Sequence, residues 1–157
     1  VSNAPPARSV DHSRVEKTEI VLPQHANALG TAFGGTVMSW VDVCAAVTAQ
    51  RHCGRIAVTA SIDALHFRAP LRVGDVAVLR SRMNAAFGSS MEVECIVERE
   101  DTATGERVLC VDALLTFVNV DDQGKPLGIP PLEVGDDDDR QRADAARERR
   151  ARRLAER

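Results

Sequence analysis

The stretch GGTVMSWVDVCAAVTA, residues 34–49, is apolar or small at nearly every position and carries Asp42 as its only charged side chain. A helix of that composition is buried almost all round instead of along one stripe. Its length and its Ala, Met and Trp content favour helix over strand, against the opposing pull of its valines. A membrane span is the rival reading, and the run matches it poorly. It is short, holds Asp42 near its middle and is followed at once by Gln50, Arg51 and His52.

Working outward, residues 14–22 read as a strand that Pro23 ends, and a polar, turn-prone segment covers residues 24–30. After the Gly54 break the pattern turns to strands. Residues 56–65 form one, and the HFRAP segment with the turn at Val73, Gly74 and Asp75 separates it from a second over 76–83. In the third, Met91, Val93, Cys95 and Val97 alternate with Glu92, Glu94 and Glu98, one dry face against one wet face. A hairpin connection at 101–106 leads to a fourth strand, 107–120. It is apolar on both faces around 109–118, which places it centrally or at a subunit contact. The division is then a flexible segment over 1–12, one domain over 13–132, and a solvated charged helix or tail over 133–157 with Asp136 or Asp137 as N-cap. That tail starts acidic and ends basic, in the sense a helix dipole favours.

The chain has 157 residues, fitting a single domain, and its 44% hydrophobic and 27% charged content is ordinary globular usage. With 20 Lys and Arg against 23 Asp and Glu, the net charge of −3 gives no overall basic field for nucleic acid or an anionic membrane. Aromatic residues at 3%, with no Tyr, argue against a base-stacking platform. The arginines after residue 139 could form a nucleic-acid arm, but the Asp block 136–139 beside them weakens that reading. Cys44, Cys53, Cys95 and Cys110 lack zinc-site spacing and read as reduced, buried small hydrophobes. With no signal-like or bilayer-length apolar run, the expected address is the cytoplasm.

One helix followed by a strand meander is an α+β arrangement, an antiparallel sheet wrapped around one long buried helix. Such a sheet cannot cover the helix completely, so at least a homodimer is expected. Asp42 is the residue that needs a reason. A carboxylate within an apolar helix is costly unless paired, and the same surroundings suit a general base. The competing reading is that Asp42 pairs with an arginine or caps a backbone group across a subunit contact, and the residues alone leave both open. Phe33, Gly34, Gly35 and Thr36 open the helix. There, free N–H donors at the positive dipole end can polarise a carbonyl, or the glycines can simply make a tight entry turn. Gly35 and Asp42 are about 10 Å apart along a helix, close enough to share a cleft without sharing one reacting atom. His52 beside Cys53 makes no dyad, because adjacent side chains on a helix point apart. The sequence has no G-x-S-x-G elbow and no P-loop.

The run NALGTAFGGTVMSWVDVCAAVTAQRHC (27–53), with VTASIDALHFRAPLRVGD (58–75), FGSSMEVECIV (87–97) and TFVNVDDQGKP (116–126), resembles the hotdog-fold acyl-CoA thioesterase family of the YciA and brain acyl-CoA hydrolase type. The likeness covers residues 14–131. It implies a helix wrapped by a sheet continuous across two protomers, assembled as a trimer of dimers, and hydrolysis of acyl-CoA to the free acid and CoA. No metal or cofactor is implied, CoA being part of the substrate. It implies Asp42 as the catalytic carboxylate, either a general base that activates water, the favoured route, or a nucleophile that forms a mixed anhydride, and Asn27 as the residue completing the site from the other protomer. The resemblance further implies that Gly34 and Gly35 face the thioester carbonyl and that Ser89 and Ser90 lie near the bound thioester and pantetheine, with Arg68 as a looser candidate for a CoA phosphate contact. Phe33, Met38, Trp40 and Val41 are candidates for the acyl tunnel, among which helix periodicity does not choose. Without the likeness, Asn27 reads as a turn residue and Ser89 and Ser90 as strand-entry hydroxyls. The alternatives are a non-catalytic acyl-CoA-binding protein and a thioesterase acting on acyl carrier protein.

Overall fold

The computed structural model describes residues 5–157. The alternating segments pair as one antiparallel sheet of five strands, β2 (Val15–Ile20), β3 (Ala57–Phe67), β4 (Val76–Ala86), β5 (Ser90–Glu100) and β6 (Arg107–Asn119), in the order β2-β4-β5-β6-β3. Two-residue strands β1 (Arg8–Ser9) and β7 (Leu132–Glu133) pair in parallel beside it, and α1 (Val10–Ser13) is a single turn between β1 and β2. As expected, the last long strand is internal, held by β5 on one side and β3 on the other.

The apolar run folds as α2 (Gly34–Cys53), four residues longer than its pattern indicates. It ends where Gly54 takes a left-handed φ of 74° and donates its N–H to the Gln50 carbonyl at 2.7 Å. Val37, Val41, Cys44 and Ala45 are buried against the inward residues of the sheet, Leu79, Met83, Met91, Val93, Leu115 and Phe117. All four cysteines are free and buried. No helix among the described residues is long and apolar enough to cross a membrane.

The two ends differ from expectation. Residues 1–12 are expected to be flexible; residues 1–4 lie outside the described residues, but from Arg8 onward the segment is tied down. Val10 is buried, and Arg8 Nη1 donates to the Arg51 and His52 carbonyls at 2.9 Å, satisfying acceptors at the α2 C-terminus. The charged tail is not solvated on all sides. It forms α3 (Asp137–Ala155), N-capped by Asp136 through a 2.8 Å bond from the Asp139 N–H, with Ala143 and Ala146 buried against the outer face of the sheet. Glu92, expected on the wet face, is therefore fully buried. It accepts from Arg149 at 2.6 Å and from Asn84 at 3.0 Å. Arg142 pairs with Glu94, and Arg82 with Asp139 at 2.9 Å. The helix is too polar for an apolar stripe to reveal its packing; small alanines and matched charges dock it instead.

His52 is completely buried and bonds to the Pro130 carbonyl through Nε2 at 2.8 Å, while Cys53 Sγ turns to the Arg55 carbonyl, so the adjacent pair makes no dyad. Burial pushes the His52 imidazole below its ordinary value, outweighing the Pro130 bond. The unfolded chain therefore takes up this proton first, and stability is lost as pH falls below about 6.5, the unfolded value. The thermal midpoint is expected to drop between pH 7 and pH 5, and His52→Gln to lower it at pH 7 while flattening that dependence, as scanning calorimetry would show.

Candidate active site

Two elements position Asp42. Helix α2 carries it half-buried on the side away from the densest packing, and β3 brings Thr59 beneath it, whose Oγ1 donates to Asp42 Oδ1 at 2.7 Å. Thr59 is the only hydrogen-bond partner of this carboxylate among the described residues, so no arginine of the same chain neutralises it. The sequence offers no spacing signal for Thr59. It faces Asp42 because strand alternation turns it toward the helix, a consequence of register.

Two turns before Asp42, the helix begins at Phe33 with no side-chain cap, which leaves its first N–H groups open. A Cβ on Gly34 would touch the Phe67 ring at 3.4 Å, whereas one on Gly35 would meet open space. Gly34 thus accommodates an aromatic neighbour, and Gly35 leaves room for an incoming group. Beside this start lies a cleft of about 320 Å3 walled by Thr31, Ala32, Val37, Phe67, Arg68 and Leu71. Asn27 sits behind its rim in a turn. Its Oδ1 accepts from the Leu29 and Thr31 N–H groups at 2.9 and 3.2 Å, and its Nδ2 donates to Thr31 Oγ1 at 2.9 Å. The turn-residue reading is realised, with one amide proton of Asn27 left to donate.

Around these groups runs apolar surface. Leu29, Phe33, Met38 and Val43 are exposed, and so are Val58, Ile62 and Phe67 of β3, an eleven-residue strand at the open end of the sheet. A long edge strand with apolar side chains and unpaired backbone groups is a template for pairing with another chain. Of the tunnel candidates, Trp40 and Val41 are buried, Trp40 edge-on to His25 at 5.1 Å. Phe33 and Met38 face outward.

The thioesterase superfamily profile matches residues 29–106. The acyl-CoA thioester hydrolase YkhA of Bacillus subtilis is 42% identical over 126 residues, spanning 80% of this chain and 73% of its own length. The chain belongs to the hotdog-fold acyl-CoA thioester hydrolase family. The acyl-CoA hydrolase of Staphylococcus aureus, solved with butyryl-CoA, CoA and CoA disulfide, superposes with a TM-score of 0.90 at 37% identity, covering 96% of this chain and 92% of that one. An apo-hexameric acyl-CoA thioesterase superposes at 0.91 with 36% identity, covering 97% of each chain. Variants of the Staphylococcus enzyme with an asparagine, an aspartate and a threonine each changed to alanine share the fold. The chain spans 25% of the length of acyl-coenzyme A thioesterase 11 of Mus musculus, 38% identical over 152 residues.

Within this hotdog fold the expected site residues separate. Asp42, Gly34, Gly35 and Phe33 share α2 and its entry, and Arg68 lines the cleft at the helix start. Ser89 and Ser90 are elsewhere, lining a cavity that the end of α3 covers. Arg68, expected at a phosphate, is engaged by Asp112 at 2.6 Å, with His66 Nδ1 on the same carboxylate at 3.2 Å. The Arg68 guanidinium, followed by His66, holds the Asp112 carboxyl below its usual range. In Arg68→Ala the Asp112 carboxyl is expected to titrate at higher pH than in the wild type, read by carbon-detected NMR of the side-chain carboxyl.

Proposed function

We propose that this chain hydrolyses acyl-CoA to the free carboxylic acid and CoA, with Asp42 as general base, in a site completed by a second copy. The observation that carries this reading is the Asp42–Thr59 pair, a carboxylate with a single hydroxyl partner, set on an apolar surface beside an uncapped helix start. Butyryl-CoA and CoA bound to the Staphylococcus hydrolase support the substrate class. The Asn, Asp and Thr replaced in that enzyme are the residue types of Asn27, Asp42 and Thr59 here.

The geometry favours a composite site. Gly35 and Asp42 are separated by about 10 Å along one helix, too far for both to act on one carbonyl. Two copies joined edge to edge through β3 set their helices side by side. Asp42 of one copy then works with the partner subunit's Asn27 and Gly35. Thr59 fixes the rotamer of Asp42 and leaves its second oxygen to take a proton from water. That water attacks the thioester carbonyl carbon as the Gly35 N–H and the remaining Asn27 amide proton steady the developing oxyanion. Collapse of the tetrahedral intermediate expels the CoA thiolate, a good leaving group that requires no strong general acid. The chemistry calls for no metal or cofactor. The cleft beside the helix start, with its apolar wall of Val37, Phe67 and Leu71, suits the acyl chain.

Asp42→Asn is expected to lower kcat on acyl-CoA by about 10²- to 10⁴-fold, the usual contribution of a positioned base. Turnover unchanged by this substitution would remove Asp42 from the mechanism. Thr59→Val is expected to cost about tenfold in kcat, in line with a lost positioning hydrogen bond. Val43→Arg places a charge on the uncovered helix face; light scattering is expected to show the assembly dissociating, with activity lost in parallel.

A further inference from the structure

The segment between β2 and α2 carries Asn27 on a narrow turn, and half-buried His25 ties this turn to its surroundings through both its backbone and its ring. Pro23 opens a single 3-10 turn over Pro23–His25. His25 then closes on Leu22 from both directions: its N–H donates to the Leu22 carbonyl at 2.9 Å, and its Nδ1 accepts the Leu22 N–H at 3.0 Å. An accepting Nδ1 places the ring proton on Nε2. Leu22 is fixed in turn, because its neighbour Val21 is buried and bonds to the backbone of Gly74 and Asp75. At the other end of the turn, the His25 carbonyl accepts the Phe33 N–H at 2.8 Å, directly ahead of the glycines that open α2. Between these anchors Ala26 bridges Ala32, and the Asn27 N–H donates to the Thr31 carbonyl at 2.9 Å, so Asn27 stands at the end of a short ladder that His25 begins. The His25 ring also meets Trp40 edge-on, with centroids 5.1 Å apart, and Trp40 is a buried residue of α2 two positions before Asp42.

The backbone contacts are open to any residue; the side-chain contacts are not. Nδ1 supplies an acceptor for an N–H that faces the turn, and the ring supplies an edge to the indole, a combination few side chains offer. What these contacts hold is the spacing between two donors. The Asn27 amide belongs to the turn and the Gly35 N–H to the helix start, and His25 is bonded into the first while it touches the second through Phe33 and Trp40. We propose that His25 is a positioning residue for the reaction, setting the Asn27 turn against the start of α2 so that the free Asn27 amide proton and the Gly35 N–H converge on one oxyanion. The inference rests on the thioesterase reading. In this role His25 acts through Asn27 and touches neither the substrate nor the reacting atoms. Small displacements matter here, because such donors are effective only when aimed at the charge that develops.

The test uses the full chain with two complementary substitutions. His25→Asn keeps an acceptor where Nδ1 stands and loses the ring; His25→Phe keeps the ring edge against Trp40 and loses the acceptor. His25→Phe is expected to lower kcat on acyl-CoA about tenfold with KM unmoved, the pattern of a contact that counts only in the transition state, and His25→Asn to recover most of that loss. The Phe substitution is then placed on an Asn27→Ala background. It is expected to cost little further there, since residues that act through one another do not add. Hydrogen exchange over residues 24–33, read by mass spectrometry, is expected to quicken in His25→Phe and to keep the wild-type rate in His25→Asn, with α2 and the sheet unchanged. An unmoved kcat in His25→Phe, a rise in KM in place of the fall in kcat, losses that multiply in the double variant, or a His25→Asn enzyme no better than His25→Phe would overturn the inference. Should wild type hydrolyse no acyl-CoA, the proposed reaction fails on its own, and exchange still decides whether His25 holds the Asn27 turn: faster exchange in His25→Phe alone supports it, and any other pattern overturns it.

Discussion

A helix that is apolar on nearly every side cannot be satisfied by one sheet. Helix α2 presses Val37, Val41, Cys44 and Ala45 into the sheet, yet Phe33, Met38 and Val43 remain uncovered on its other side. Ile62 and Phe67 extend that surface along β3, whose outer edge has no strand neighbour among the described residues. Each such side chain gains about 1.5–3 kcal/mol when fully buried, so the pressure toward a second copy is large compared with ordinary domain stability. The same uncovered strip holds Asp42. The surface that favours association and the one that offers chemistry coincide.

Asp42 shows why a carboxylate can survive in such a place. It avoids full burial by sitting at the boundary of the packed face, and one hydrogen bond from Thr59 supplies a partner without neutralising its charge. An arginine partner would have stabilised the carboxylate and blunted it as a base. Asp112 is the contrasting case in the same molecule: the Arg68 guanidinium and the His66 ring face it, and its proton affinity is lowered. A charge held by a hydroxyl remains available; a charge held by a guanidinium is consumed in structure.

The outer face is organised by different forces. Helix α3 is mostly charged, and it docks through two buried alanines and a ladder of arginine–carboxylate pairs, with Glu92 fully removed from water between Arg149 and Asn84. Breaking such a pair strands a buried charge, at a cost of about 3–5 kcal/mol, so the ladder locks the register of helix on sheet more than it adds net stability. Where the ladder ends, Arg150 lies over the Phe87 ring and Arg153 pairs with Asp63 beside the Ser89–Ser90 cavity.

Much was legible in the residues themselves. The all-apolar run named the central helix, the alternation of Met91 through Val97 named a strand with one dry face, and Gly54 named the helix end, because periodicity and backbone freedom are local properties that a chain carries before it folds. Asp42 stood out for the same reason, as a lone charge in an apolar stretch. Thr59 did not, since a threonine in a strand has no distinguishing neighbours until register sets it against α2. The burial of Glu92, the capture of Arg68 by Asp112 and the seating of α3 were likewise invisible, each depending on a partner 44 or more residues away. Composition and spacing determined the layers of this protein; which charges are spent and which stay free was decided only when distant segments met, because electrostatic pairing acts across space and leaves no period in the sequence.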